Sequence, residues 1–212
     1  NKNYYDKNNP LIDDKKFDDL KIEVLKIETK YNFLKNSSSP TISIGYKPSK
    51  NFIKLKHRAP MLSLSNAFGY KDLENFEKKI FNFLNINKKN NIEYSVEPKI
   101  DGISASLTYK DGKLVSGVSR GDGKEGEMIT ENLKTINDIP KVINVKDFPN
   151  DIDIRGEVFI TNKDFESLKD NFANPRNAAS GSLRQKNPEE TKKIPLRFIA
   201  YTFGYEKGLI LE

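Results

Sequence analysis

The sequence predicts an α+β protein, and three observations predict it. Apolar residues recur at helical steps in two segments before Tyr94, the pattern changes to a period of two after it, and an Asp-Gly pair separates two of the alternating runs. Antiparallel strands in hairpins, accompanied by helices, are the fold class that such a succession implies.

The elements follow in order. From Asp13 to Tyr31, residues Phe17, Leu20, Val24, Ile27 and Tyr31 recur at three- and four-residue steps behind an Asp13-Asp14 start signal, the mark of an amphipathic helix. Asn36-Ser37-Ser38-Ser39-Pro40 breaks it, and a polar, poorly periodic stretch runs to about Asn51. A domain boundary is expected there, with a small helical domain over 1–51 and a larger domain over 52–212. A second helix is predicted from Lys71 to about Leu84, with Leu73, Phe76, Ile80, Phe83 and Leu84 on one side, before the polar run Asn87 to Asn91.

Ile103, Ala105, Leu107 and Tyr109 then alternate with polar residues, Asp111-Gly112 supplies turn chemistry, and Leu114, Ser116 and Val118 return as a second strand. Ile152 to Ile160 and Leu196 to Tyr205 are further strands. Between them Asn174-Pro175 reads as a helix cap with proline in the first turn, leading a short helix toward Gln185. No internal repeat interrupts this order.

Composition narrows the function classes. The 212 residues are 36% hydrophobic and 31% charged, and a chain of that length can hide about 70% of its unfolded surface. No apolar run approaches the ~20 residues that cross a bilayer, and no apolar leader opens the chain, so a cytoplasmic protein without a membrane partner is expected. With no cysteine, disulfides, thiolate zinc sites and a cysteine nucleophile are excluded in these residues. Lys and Arg number 36 against 30 acidic residues, a formal charge of +6. That excess suits a polyanionic partner, and ordinary solvated lysines would give the same total.

Chemistry concentrates in four strings. In Glu97-Pro98-Lys99-Ile100-Asp101-Gly102 a strand would set Glu97, Lys99 and Asp101 on one face. An amine attacks phosphorus only when neutral, so a nucleophilic lysine needs its pKa lowered from about 10.4 by burial or neighbouring cations. Two flanking carboxylates act the other way, and by itself the string also reads as an exposed strand with paired charges. Ser119-Arg120-Gly121-Asp122-Gly123-Lys124-Glu125-Gly126 offers backbone that a ligand can approach and an arginine to grip phosphate or ribose oxygen; a flexible surface loop has the same composition. Asp153, Arg155 and Glu157 share one face of a strand, where Glu157 could meet a ribose hydroxyl or a metal, or simply solvent. Arg176 and Arg184 lie eight apart, near one helical face at a helix start, placed for a phosphate or for water.

Together with Tyr4-Tyr5, Asp14 to Asp18 and His57-Arg58-Ala59-Pro60-Met61-Leu62-Ser63-Leu64, these strings resemble the NAD-dependent DNA ligases of bacteria, in the family's order and over essentially the whole chain. The resemblance implies a nucleotidyltransferase fold of the ATP-grasp-like DNA ligase and capping-enzyme superfamily, with an antiparallel-sheet domain behind the helical one. It implies that Lys99, with Asp101 beside it, takes AMP from NAD and releases nicotinamide mononucleotide (NMN), for sealing nicks in duplex DNA in replication and repair. NMN recognition falls on Tyr4, Tyr5, Asp14, Lys15, Lys16, Phe17 and Asp18. Phe17 departs from the family's usual tyrosine and also belongs to the helix's apolar stripe.

For the adenosine half the resemblance assigns Ser63, Leu64, Glu97, Arg120 and Glu157, and for the nick phosphate Arg176 and Arg184. His57, the single histidine, is expected to be structural. ATP-dependent relatives usually carry arginine where this chain has Ser104, which favours NAD. Mg²⁺ is implied as cofactor without protein ligands assigned to it, and Zn²⁺ only in a later module. Family members continue beyond the equivalent of Glu212, so a monomeric fragment, truncated at both ends and unable to seal nicks alone, is expected. The alternatives are an RNA-directed relative using ATP or GTP, and a nucleotide- or DNA-binding module without ligation activity.

Overall fold

The computed structural model of the chain describes residues 14–35, 39, 41, 52–86 and 91–207; within the first helix the side chains of Asp14, Lys15, Phe17 and Asp18 lie outside the described set, as do residues Tyr4 and Tyr5 altogether. Two compact units emerge, one formed by the chain up to Met61 together with Ile100 onward, the other by Leu62–Lys99.

In the first unit, helix α1 (Asp14–Lys30) follows the predicted periodicity closely. Its stripe is less buried than the pattern suggests, since Leu20, Ile27 and Tyr31 remain over 40% exposed. Among the described side chains of this helix the buried one is Glu28, whose carboxylate accepts the hydroxyls of Ser39 and Thr41. Those bonds hold it below the usual carboxylate range.

The core is built on a four-stranded antiparallel sheet of order β3-β2-β5-β6: β2 Ile103–Lys110, β3 Lys113–Ser119, β5 Asp151–Phe159 and β6 Arg197–Lys207. The turn between the first two is the predicted one, with Asp111 at φ 46° and Gly112 at φ 72°, the positive pair that a tight hairpin demands. A two-stranded ribbon, β1 (Lys54–Lys56) against β4 (Glu125–Glu127), accompanies the sheet.

The period of two decides the faces. Ala105, Leu107, Tyr109, Ile152 and Val158 turn to one side and are buried with Leu133, Ala178, Ala179 and Leu183. The latter come from α3 (Thr130–Leu133) and α5 (Pro175–Leu183), with α6 (Pro188–Lys192) beside them and α4 (Asn162–Phe165) following β5. Burial of this face is the main stabilising term. It also pushes the Tyr109 phenol up to about 12, while that hydroxyl donates to Pro140 O at 2.7 Å. Helix α5 starts as read, the Asn174 side chain accepting from Asn177 N at 2.7 Å with Pro175 in the first turn.

The second unit contains α2 (Tyr70–Leu84), ended by Asn85 in the left-handed region at φ 51°. Phe81 is its buried residue, whereas Leu73, Phe76, Phe83 and Leu84 of the expected stripe are more than half exposed. Phe76 and Tyr94 approach at 6.5 Å between ring centroids.

Candidate functional site

The opposite face of the sheet is polar because the cross-strand partners there are polar. Ser104 pairs with Glu157, Ser106 with Arg155 and Thr108 with Asp153. Ser104 Oγ donates to Glu157 Oε2 at 2.7 Å and Thr108 Oγ1 to Asp153 Oδ1 at 2.7 Å. Glu157 is thus half-buried and oriented by Ser104, two positions past Gly102.

The strand expected over Val96 to Asp101 does not form: residues 91–101 are irregular and β2 begins at Ile103. Pro98 lacks the N–H that a ladder needs, which accounts for the difference. Glu97 and Lys99 are exposed, and Ser95 Oγ donates to Glu97 Oε1 at 3.2 Å. Ser63 and Leu64 are exposed as well, Leu64 at 77%. These four candidates belong to the Leu62–Lys99 unit, and the others described below to the first.

Past the lysine the motif is held tightly. Gly102 is buried against β5, and a Cβ on it would collide with the Val158 carbonyl oxygen. Glycine is therefore required by close approach, which allows the chain to enter β2 at that point. Asp101 Oδ1 accepts from Arg176 Nη1 at 3.2 Å, both side chains being half exposed or more. A residue read as a phosphate ligand and a residue of the lysine motif, 75 positions apart, are brought together.

Arg120 stands at the end of β3, in a loop shaped by Asp122. The Asp122 carboxylate accepts from Glu125 N at 2.9 Å and Lys124 N at 2.8 Å, bonds that keep it below the usual carboxylate range. Residues 57–61 strap this loop: His57 N donates to Lys124 O at 2.8 Å, Met61 N to Gly123 O at 2.8 Å, and His57 Nε2 to Arg120 O at 3.0 Å. His57, expected to be structural, is thus bonded to the Arg120 loop through both its main chain and its ring.

Arg184 differs from Arg176. It caps α5, donating from Nε to Glu127 Oε2 at 2.8 Å and from Nη1 to Ser180 Oγ at 2.6 Å. Glu127 is fully buried, so this pair joins β4 to α5. Sequence reading did not single out Glu127, nor the ion pairs that Arg58 makes to Asp151 at 2.7 Å and to Asp153. Partners 93 and 95 positions away leave no local signal.

Among the candidates for the NMN half, Lys16 is exposed on α1; Tyr4, Tyr5 and the side chains of Asp14, Lys15, Phe17 and Asp18 lie outside the described residues. Among the described residues no three His, Cys, Asp or Glu gather as a metal site, and no helix is long and apolar enough to cross a membrane.

Comparison with known proteins adds to this geometry. A family model described as the NAD-dependent DNA ligase adenylation domain matches residues 49–212, and one described as the DNA ligase-like, N-terminal NAD+-binding domain matches residues 1–45. A DNA ligase of Pelagibacter ubique is 68% identical over 212 residues, covering 100% of this chain and 31% of the relative. DNA ligases of Parvibaculum lavamentivorans and Paracoccus denitrificans are 46% and 44% identical, each over 95% of this chain and over 29% and 27% of their own lengths. The chain thus spans less than a third of these curated relatives.

Proposed function

This chain belongs to the family of NAD-dependent DNA ligases, and on that premise we propose that Lys99 is the nucleophile that accepts AMP from NAD in a parent enzyme that seals nicked duplex DNA. The observation that carries the reading is the path of the lysine motif: Lys99-Ile100-Asp101-Gly102 runs into β2, where Ser104 holds Glu157 at 2.7 Å. Glu157 and Arg120 are assigned to the ribose, Ser63, Leu64 and Glu97 to adenine.

In the first step the Lys99 Nζ lone pair forms a bond to the α-phosphorus of NAD. The bond from that phosphorus to the bridging oxygen breaks, nicotinamide mononucleotide departs with it, and the amine gives up a proton. AMP then passes to the 5′-phosphate of a nick, and attack by the 3′-hydroxyl releases it as the strand closes. Splitting one hard condensation into activated steps is the logic of covalent catalysis. Asp101 follows the proposed nucleophile by two positions in the sequence and is paired with Arg176. Arg176 and Arg184 are the proposed contacts to the nick phosphate, Arg176 with the more open side chain.

Mg²⁺, which screens phosphate charge in such chemistry, has no protein ligand set among the described residues. It is assigned here to the substrate's phosphates, where this ion commonly keeps most of its waters. Recognition of the NMN half is assigned to Tyr4, Tyr5 and Asp14 to Asp18. The matched regions meet between residues 45 and 49, which supports a boundary near Asn51 between a helical part and a nucleotidyltransferase part. A cytoplasmic, monomeric enzyme of replication and repair is the corresponding setting.

Incubating the full-length parent with NAD or ATP and Mg²⁺, without DNA, tests the reading by mass. An AMP adduct that survives alkali and is released by acid, as a phosphorus–nitrogen bond requires, is expected with NAD and absent in Lys99→Ala; an adduct surviving that change overturns the assignment.

A further inference from the structure

The His57–Met61 strap is held by two arginines that point in opposite directions. Arg58, on the strap, donates from Nη1 to Asp151 and from Nε and Nη2 to Asp153 on β5, and its guanidinium lies 4.2 Å from the Tyr205 ring centroid on β6. Arg155, on β5, reaches back. Its Nη1 donates to Pro60 O at 3.0 Å and its Nη2 to Ala59 O. No carboxylate pairs with Arg155 in the described ion pairs, and its Nε is buried against β6. Two successive main-chain carbonyls are thus its partners, so it reads the conformation of the strap rather than a side chain.

The strap's own N–H groups at His57 and Met61 go the other way, to Lys124 O and Gly123 O of the Arg120 loop. One edge of the strap therefore holds the loop that carries Arg120, and the other is tied to the strand that carries Glu157. Gly204 completes the arrangement. A Cβ there would stand 2.7 Å from Arg155 Nε and 2.8 Å from its Cζ, so the guanidinium lies flat on β6 only because that position is glycine.

We propose that Arg155 and Arg58 are positioning residues that preset the His57–Met61 strap, and through it the Arg120 loop, for nucleotide binding. The proposal rests on the ligase reading above. Neither arginine is assigned to NAD itself; they act by having the strap ordered before the ligand arrives, so that less ordering is left to binding. A contact that supports ground state and transition state alike affects KM and leaves the saturated rate in place. Lysine cannot replace Arg155, because one ammonium on a flexible stem does not reproduce a fork aimed at two carbonyls.

The test uses full-length parent protein and follows lysyl-AMP formation against NAD concentration, beside a thermal melt and the transfer of preformed AMP to nicked DNA. Arg155→Lys and Gly204→Ala are expected to raise KM for NAD on the order of tenfold, with the saturated rate and the DNA-transfer step close to wild type. Gly204→Ala changes no charge and displaces the guanidinium, and Arg58→Gln provides a third variant should Arg155→Lys not fold. Wild-type KM in the folded variants, or a loss of saturated rate and melting temperature at unchanged KM, overturns the clamp. A wild-type parent that forms no adduct with NAD overturns the ligase reading first.

Discussion

Ser104 Oγ and Glu157 Oε2 lie 2.7 Å apart across directly paired positions of β2 and β5. Ser104, the position on which the sequence reading favoured NAD, is thereby bonded to the carboxylate proposed for ribose. Ser104→Ala removes one donor to that carboxylate and should lower kcat/KM for NAD by about tenfold. Kinetics of adenylation in the absence of DNA provide the check, and an unchanged value would separate Glu157 from the nucleotide.

Gly102→Ala is expected to damage the motif without touching a charge, since the new methyl meets the Val158 carbonyl. Overpacking of this kind costs about 1–3 kcal/mol. A melting curve should shift down and adenylation should fall with it. A variant that melts like wild type would show that β5 yields at Val158.

Arg184→Ala removes the guanidinium that pairs with the buried Glu127 carboxylate, and loss of one partner of a buried pair costs about 3–5 kcal/mol. Stability to denaturant should drop, and adding Glu127→Gln to the same protein should recover part of it. Arg176→Ala frees only an exposed carboxylate, so it should leave stability nearly intact and weaken binding to nicked DNA. Comparable melting of the two arginine variants would refute this division of roles.

Asp138 accepts from Arg197 Nε at 2.6 Å and from Phe198 N at 3.0 Å. The guanidinium above all holds its carboxyl below the usual range. A lowered folded pKa means stabilisation that is present above the unfolded value near ~3.9 and lost as pH falls through the folded one. Asp138→Asn should therefore melt below wild type at pH 7, with the gap closing only under strongly acidic conditions. A gap that closes already between pH 7 and 5 would contradict the assignment.

Much of the fold was legible because its signals are local. Periodicity placed α1, α2 and the four sheet strands, Asp111-Gly112 placed the hairpin turn, and Asn174-Pro175 placed the start of α5. Misreadings arose where a local rule met a longer-range one. Pro98 denied a ladder to the lysine segment, and the stripes of α1 and α2 stay largely exposed. The short α3 and the β1–β4 ribbon were not foreseen, being held by distant partners such as Asn132 with Gln185 and Thr191, while α4 and α6 start at local caps, Thr161 and Asn187, that the sequence reading passed over.

By itself the sequence determined the family and the two-faced character of the sheet, because motif order and a period of two are properties of the chain alone. Tertiary structure decided which charges meet: Asp101 with Arg176, Glu127 with Arg184, Arg58 with Asp151 and Asp153, and Arg155 with two carbonyls. Those pairings span 57 to 96 positions, and hydrogen bonds act over about 3 Å, so only the folded chain brings the partners within reach.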